Sequence, residues 1–183
     1  WNRDLIERVD INFFETNTVS ERGNFYDPIG ALRDVGQNHI LQMLALVAME
    51  DPGGITADKI RTARAEVLAK IRPASRTPSE FVSVAQYAGY KNEVGVNPIS
   101  TTETFFELKL HVHNRRWKGV PFFVTYGKAL SKNLVQIKIT FREEESCVCP
   151  VDDICNYGNT ITINVQPEEN ISVSFWKKTP GLA

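Results

Sequence analysis

The sequence predicts an α+β fold, in which helices pack on one side of a large, mainly antiparallel sheet. Two observations support this prediction. Two helical patterns lie in the first half of the chain, and strand patterns joined by turns fill most of residues 101–176. Because no helical pattern separates those later strands, we expect them to pair antiparallel. The 183 residues are expected to form a single domain, 1–183, around one core.

The N-terminal half begins with a strand and continues with a long helix. Residues 5–15 are predicted to be a strand, because apolar side chains recur there at every second position. Residues 28–49 are predicted to be a helix, with Pro28 in its first turn and Asp27 as its N-cap. Its second half, from Ile40 onward, is almost wholly apolar, which indicates burial on all sides.

A second helix and a sheet region complete the pattern. Thr56 is the expected N-cap of the second helix, which Pro73 would end. Residues 74–100 are rich in Pro, Ser, Gly and Asn and show no sustained period, so a long irregular excursion is expected there. Further strands are predicted at 106–112, 120–126, 134–141, 160–165 and 171–176.

Composition limits the possible partners and location. The formal net charge is −1 and the sequence pI is about 6.4, which argues against a nucleic-acid partner or an anionic membrane surface. The sequence contains no apolar run long enough to span a membrane and no secretory signal pattern, so a cytoplasmic protein is expected. Turn chemistry at the C-terminus and the absence of an initial methionine predict a fragment of a longer protein.

The three cysteines are Cys147, Cys149 and Cys155. A structural zinc site needs four ligands, and no histidine lies near them in the sequence. We therefore expect free thiols and no metal site.

The first half of the long helix carries a polar cluster that includes His39. Histidine is the side chain best suited to exchange a proton near neutral pH. Gly36 lies three residues earlier on the same helical face, where it could leave space for a ligand beside the imidazole. The alternative is a hydrogen-bonded histidine of the core, which the residues alone favour.

Seven blocks of sequence resemble one enzyme family in order and approximate spacing. They are W-N-R-D at 1–4, R-G-N-F-Y-D at 22–27, G-A-L-R-D-V-G-Q-N-H at 30–39, L-V-A-M-E at 46–50, S-T-T-E-T-F at 100–105, R-W-K-G-V-P-F at 116–122 and G-K-A-L at 127–130. Together they resemble the substrate-binding and dimerisation part of the glucose-6-phosphate dehydrogenases, over nearly the whole chain.

The resemblance implies a function and a set of site residues. It implies that His39 is the catalytic base that takes the proton of the sugar C1 hydroxyl, while hydride passes to NADP. It also implies that Glu15 and Asp34 accept hydrogen bonds from sugar hydroxyls, that Lys128 holds the phosphorylated sugar and that Gln166 lines the substrate side. Without the resemblance, the two acids would be interpreted as ordinary surface or capping residues.

The resemblance further implies a sugar phosphate substrate and a homodimer, or a higher homo-oligomer, formed through the sheet of residues 101–176. One apolar sheet face is expected to remain open for that partner. No dinucleotide-binding fingerprint is present. NADP is therefore expected to bind mainly to an N-terminal Rossmann domain that is absent from this chain, and the chain alone is expected to be inactive.

Three positions depart from the family pattern, because Thr125, Asn133 and Asn164 stand where basic residues are usual. Each change removes a potential charged contact to an anion. These departures favour an alternative function, that of a non-catalytic dimerisation module derived from the same family.

Overall fold

A computed structural model of the chain describes residues 1–143 and 158–176, and the three cysteines lie outside these ranges. Within them, eight strands form one sheet. The strands are β1 (Ile6–Phe14), β2 (Ile71–Pro73), β3 (Val82–Ala85), β4 (Phe105–Val112), β5 (Pro121–Gly127), β6 (Leu134–Phe141), β7 (Thr160–Gln166) and β8 (Asn170–Ser174). Their order is β2-β4-β5-β1-β6-β7-β8, and β3 also pairs with β4. The predicted α+β class, with a large and mainly antiparallel sheet, is confirmed.

One pair of neighbouring strands, β1 and β5, runs parallel within this mainly antiparallel sheet. The topology explains the exception. A short turn joins β5 to β6, so these two strands run in opposite directions, and β1 lies between them. A strand in that position must be parallel to one neighbour and antiparallel to the other, and β1 is antiparallel to β6. The C-terminal ends of β1 and β5 therefore lie side by side.

The helical layer differs from the predicted single helix. It contains α1 (Gly23–Tyr26), a π-helix (Leu32–Ile40) that continues directly as α2 (Leu41–Ala48), and α3 (Ala57–Leu68). The predicted start at Pro28 is therefore wrong, and Asp27 is not the N-cap. Instead, the Asp27 carboxylate accepts hydrogen bonds from Ser100 and Tyr90.

Three smaller predictions concern residues 56–100. Thr56 occupies the N-cap position of α3, although its side chain makes no capping hydrogen bond there. The helix ends at Leu68, before Pro73, which lies in β2. The excursion over residues 74–100 is less irregular than expected, because it contains β3 and two short 3₁₀ turns, Pro78–Glu80 and Tyr90–Asn92.

The helices cover one face of the sheet, called here the inner face. Its alternate strand residues form the core with the helices; among them are Val9, Ile11, Phe106, Phe122, Val124, Tyr126, Ile137 and Ile139. The Trp117 indole is fully buried and donates to the Ala48 carbonyl, which fixes the end of α2 against this core. Leu46, however, is 50% exposed, so α2 is not buried on every side as predicted.

The opposite, outer face is polar over the central strands, contrary to the expectation of an open apolar face. Arg8 pairs with Asp10 there, and the Arg8 and Lys109 side chains both lie over the Phe123 ring. An apolar surface without a covering element in the described residues lies instead at β8, where Ile171 and Val173 are exposed. In these same ranges, no helix combines the length and the apolar character that a membrane crossing requires.

Candidate functional site

The parallel pair brings Glu15 and Lys128 together at one end of the sheet. Phe14 pairs with Gly127, so the next residue of each strand lies beside its counterpart. Both side chains project on the inner face, and the Lys128 ammonium lies 2.6 Å from Glu15 Oε2. The lysine side chain is 12% exposed and that of the glutamate 29%. This is a partly buried ion pair, in which solvent screens the attraction less than at a surface.

Two tyrosines extend this ion pair. The Tyr126 hydroxyl donates to Glu15 Oε2 at 2.7 Å, and the Lys128 ammonium lies 5.7 Å from the centre of the Tyr26 ring. Burial, followed by the hydrogen bond to Glu15, raises the pKa of Tyr126 far above its ordinary value, so the phenol remains a donor. Within residues 1–143 and 158–176, both side-chain contacts of the Glu15 carboxylate thus fall on Oε2, which leaves Oε1 as an acceptor for a ligand.

The π-helix carries two more of the predicted residues, Asp34 and His39. The His39 ring is exposed, and its centre lies 6.4 Å from that of Phe13. Phe13 in turn contacts Tyr126, with 5.8 Å between the ring centres. Asp34 is half-buried, and its charge helps to raise the pKa of Tyr126, although less than burial and Glu15 do. His39, Phe13, Tyr126, Glu15 and Lys128 therefore form a continuous chain of contacts.

The environment of His39 does not match the core-histidine alternative. Its side chain is exposed, and it forms no hydrogen bond with any residue that the structure describes. An imidazole in this position can meet a ligand from the solvent side. The π-helical turns around it, which are frequent at functional sites, set its direction.

Gly36 serves packing, and not ligand space as expected. The residue is buried, and a Cβ atom added to it would lie 3.2 Å from the Phe106 Cζ atom of β4. The absence of a side chain lets the π-helix approach the sheet closely at this point. This close approach is how the helix that carries His39 is seated on the inner face.

A β-bulge directs Gln166 towards the inner face. Asn164 pairs with Gln136, but Gln166, and not Val165, pairs with Val135. The extra residue reverses the alternation, so Gln166 shares the face of the buried Val135. Gln166 lies at the same end of the sheet as the ion pair. However, it is exposed, and no hydrogen bond joins it to the other four predicted residues in the described ranges.

The three departures from the family pattern occupy different places. Thr125 and Asn164 lie on the outer face, where Thr125 adjoins the Arg8–Asp10 pair and Asn164 accepts a hydrogen bond from Gln136. Asn133 lies at the site end of the sheet, and its Oδ1 accepts the Thr16 N–H at 2.9 Å. Each of the three changes was expected to remove a potential charged contact to an anion. Thr125 and Asn164 face away from Lys128, so Asn133 alone lies where that prediction concerns a ligand at Lys128.

Two residues of this region were missed by sequence reasoning. Tyr126 is the inner-face residue before Gly127, and strand alternation alone could have placed it beside Lys128. Glu103 gave no such signal, although its carboxylate contacts the start of the π-helix (Leu32 N–H to Oε1, 2.9 Å). In the described part of the chain, no group of three or more His, Cys, Asp or Glu side chains is arranged to hold a metal ion.

Comparison with known proteins agrees with this fold. The family model described as glucose-6-phosphate dehydrogenase, C-terminal domain, matches residues 1–183. Glucose-6-phosphate 1-dehydrogenase of Aggregatibacter actinomycetemcomitans is 41% identical over 192 residues, which cover 99% of this chain and 38% of that protein. The cytoplasmic glucose-6-phosphate 1-dehydrogenase 6 of Arabidopsis thaliana is 38% identical, covering 100% of this chain and 34% of that protein.

Solved structures give the same result. The crystal structure of glucose-6-phosphate 1-dehydrogenase from Mycobacterium avium superposes with a TM-score of 0.89 at 34% identity, covering 98% of this chain and 39% of that one. A glucose-6-phosphate dehydrogenase in complex with its substrate glucose-6-phosphate gives a TM-score of 0.86 at 34% identity, covering 100% of this chain and 38% of that one. The chain thus spans less than half the length of these relatives. It belongs to the glucose-6-phosphate dehydrogenase family, whose C-terminal domain it matches over its whole length.

Proposed function

We propose that this chain is a single domain that supplies the substrate-binding part of an NADP-dependent glucose-6-phosphate dehydrogenase. The complete enzyme would oxidise glucose 6-phosphate at C1 to 6-phosphogluconolactone, the first step of the pentose phosphate pathway. The observation that carries this proposal is the continuous set of contacts from His39 through Phe13 and Tyr126 to the Glu15–Lys128 pair. A base and a polar, charged cradle on one inner face suit a phosphorylated sugar.

His39 acts as the general base in this proposal. Hydride leaves C1 readily only if the C1 hydroxyl loses its proton, so a base must lie within hydrogen-bond reach of that oxygen. The exposed imidazole, which has no hydrogen-bond partner in the described residues, is free to take this proton. Asp34 and Glu15 Oε1 accept hydrogen bonds from sugar hydroxyls and hold the ring in place.

NADP supplies the hydride acceptor, a chemistry that side chains lack. The sequence contains no Gly-rich turn between a strand and a helix that would hold a pyrophosphate. We therefore propose that the dinucleotide is held mainly outside this chain. The residues of this chain then bind the sugar, orient it and take its C1 proton.

Lys128 and Gln166 complete the sugar side of the proposal. The lysine ammonium uses one contact on Glu15 and keeps N–H groups for a phosphate or hydroxyl oxygen. Gln166, turned to the inner face by the β7 bulge, would line the wall of the site. An ammonium beside a carboxylate suits a ligand that combines an anionic group with neutral hydroxyls.

The alternative of a non-catalytic dimerisation module rests on the absence of three basic residues. Two of the residues that stand in their place, Thr125 and Asn164, lie on the outer face, away from Lys128. Only Asn133 lies near the proposed site, and it already serves as an acceptor for the Thr16 backbone. The enzyme proposal therefore explains more of the arrangement.

A homodimer formed through the sheet also belongs to this proposal, as does a cytoplasmic location, which the name of the Arabidopsis relative supports. The outer face offers a partner both charge signs and an aromatic ring, through Arg8, Asp10 and Phe123. Sedimentation velocity of the wild-type protein and of Phe123→Asp tests this surface. A dimer that persists unchanged in the variant would contradict it.

The catalytic proposal is tested with His39→Asn in the longer protein that contains this chain. We expect kcat to fall by about 10²- to 10⁴-fold with little change in KM, because a general base acts mainly in the transition state. His113→Asn is the matched control, since His113 is exposed and lies outside the proposed site. Turnover of His39→Asn equal to that of the control would remove His39 from the mechanism.

A further inference from the structure

The helix that carries Asp34 and His39 is held at its start by a residue far away in the sequence. The Glu103 carboxylate accepts the Leu32 N–H at 2.9 Å, and the Glu103 carbonyl accepts the Ala31 N–H at 3.1 Å. No side chain near the start of the helix caps it, because Ala31 occupies the N-cap position. One residue of the segment before β4 therefore satisfies two of the free N–H groups at this end.

The chain around Gly30 is shaped to admit this carboxylate. Gly30 has φ +78°, in the left-handed region, and a Cβ atom built on it would lie 2.6 Å from Glu103 Oε1. Any other residue here would be strained and would also displace the Glu103 side chain. The glycine and the glutamate thus form a fitted pair.

The same short segment also fixes the sheet side of the site. The carbonyl of Thr104, the residue after Glu103, accepts a hydrogen bond from the backbone N–H of Lys128 at 3.0 Å, and Thr104 is fully buried. Ser100 and Thr102 of this segment hydrogen-bond to Asp27, just before the helix. Residues 100–104 therefore connect the backbone that carries Lys128 to the start of the helix that carries His39.

We propose that Glu103 is a positioning residue: it sets the placement of the π-helix, and through it of His39, relative to the Glu15–Lys128 pair. The proposal rests on the function proposed above. Glu103 bonds to the helix backbone and acts on the reaction only through it. Its carboxylate is also a favourable charge at a helix N-terminus, where the free N–H groups carry a partial positive charge.

Loss of the Glu103 contacts to the start of the helix should lower kcat more than it changes the affinity for the sugar. The contacts that Glu15 and Lys128 offer the sugar remain in place, since their strands pair independently of Glu103. Asp34 moves with the helix, but it supplies only one of the proposed sugar contacts. His39 lies seven residues along the same helix from Leu32, so a shift of the helix start moves the base relative to the C1 hydroxyl. A displacement of about 1 Å in a reacting group can lower a rate by about 100-fold.

The test compares three variants of the longer protein: Glu103→Ala, Glu103→Gln and, as control, Glu66→Ala on the exposed face of α3. Glu103→Ala should lower kcat for glucose 6-phosphate by about 10- to 100-fold and change KM by less than about threefold. Glu103→Gln should retain most of the turnover, because its amide oxygen can still accept the Leu32 N–H. Glu66→Ala should match the wild type.

A deuterium isotope effect separates positioning from loss of folded protein. Where product release limits kcat of the wild type, the isotope effect on kcat with substrate deuterated at C1 should rise in Glu103→Ala, because the chemical step becomes the slower one. A fall in the amount of folded enzyme would lower kcat and leave the isotope effect unchanged. If the alanine variant does not fold, Glu103→Asp replaces it, since its shorter arm also fails to reach Leu32.

The outcomes distinguish this proposal from the one on which it rests. An active wild type with unchanged kcat and isotope effect in Glu103→Ala overturns the positioning role alone. Equal damage in Glu103→Gln and Glu103→Ala also overturns it, because the hydrogen-bond geometry would then not be the cause. A wild-type protein that does not oxidise glucose 6-phosphate overturns the proposed function, and this role with it.

Discussion

Replacing Lys128 with alanine tests whether this lysine meets the phosphate of the substrate or only steadies Glu15. Its ammonium lies 2.6 Å from Glu15 Oε2 in a setting that is largely shielded from water. The substitution therefore removes two things together: a positive charge for the ligand and the ionic partner of a carboxylate proposed to bind the sugar. Glu15→Gln and the double variant are needed to separate the two effects.

The expected magnitudes follow from the geometry. A hydrogen bond to a charged group contributes about 1.5–3 kcal/mol, so loss of a lysine–phosphate contact should raise KM for glucose 6-phosphate by about 10- to 150-fold. Loss of the ion pair should cost about 1–2 kcal/mol of stability, less than for a fully buried pair. The reason is that Glu15 remains 29% exposed and keeps its bond from Tyr126.

The assay is steady-state kinetics of the longer protein with glucose 6-phosphate and with free glucose. Only the phosphorylated sugar presents a dianion, so Lys128→Ala should change its kcat/KM far more than that of glucose. Glu15→Gln should affect both sugars to a similar extent, because both present the same hydroxyls. Equal losses for both sugars in Lys128→Ala would refute the phosphate contact and leave the lysine with a supporting role for Glu15.

Three further predictions follow from individual contacts. Tyr126→Phe removes the 2.7 Å bond to Glu15 and should lower the free energy of unfolding by about 1 kcal/mol, measured by chemical denaturation. Burial alone would raise the pKa of Asp27, but its hydrogen bonds outweigh burial and hold the pKa below the ordinary 3.8. The stability it contributes is therefore present above about pH 4 and lost at lower pH, and Asp27→Asn should flatten this acid limb in thermal melts. Asn133→Arg should tighten glucose 6-phosphate binding by up to about tenfold, because it adds a positive charge near the proposed site. The same change should lower the melting temperature, because the Thr16 N–H loses its acceptor. Unchanged binding of both phosphorylated and free sugar would contradict the charge argument.

The sequence predicted well those features that depend on neighbouring residues, namely single strands, single helices and their buried faces. Strand β6 was predicted with its observed bounds, and alternation assigned Val135, Ile137 and Ile139 to one face, which the structure buries. The period of residues 28–49 indicated a helix, but it did not reveal the π winding of Leu32–Ile40 or the close approach of Gly36 to Phe106. Local pattern thus predicts elements and faces, and tertiary contact decides their exact form.

The arrangement of the candidate site was not predictable in the same way. The pair formed by Glu15 and Lys128 depends on the insertion of β1 between β5 and β6, a pairing of residues that lie more than a hundred positions apart. The direction of Gln166 depends on one extra residue in β7, which reverses the alternation that its sequence shows. Both features are set by register between distant segments, which hydrophobic periodicity does not encode.

The two halves of the site rest on supports of different kinds, and this difference governs how they should fail. Glu15 and Lys128 extend from central strands that are paired on both sides, so the β1–β5 ladder fixes their spacing and the ladders to β6 and β4 support it. The helix that carries His39 is held at its start by Glu103. Damage to the strand-borne pair should therefore weaken sugar binding, whereas damage to the helix support should slow proton transfer from a sugar that is still bound.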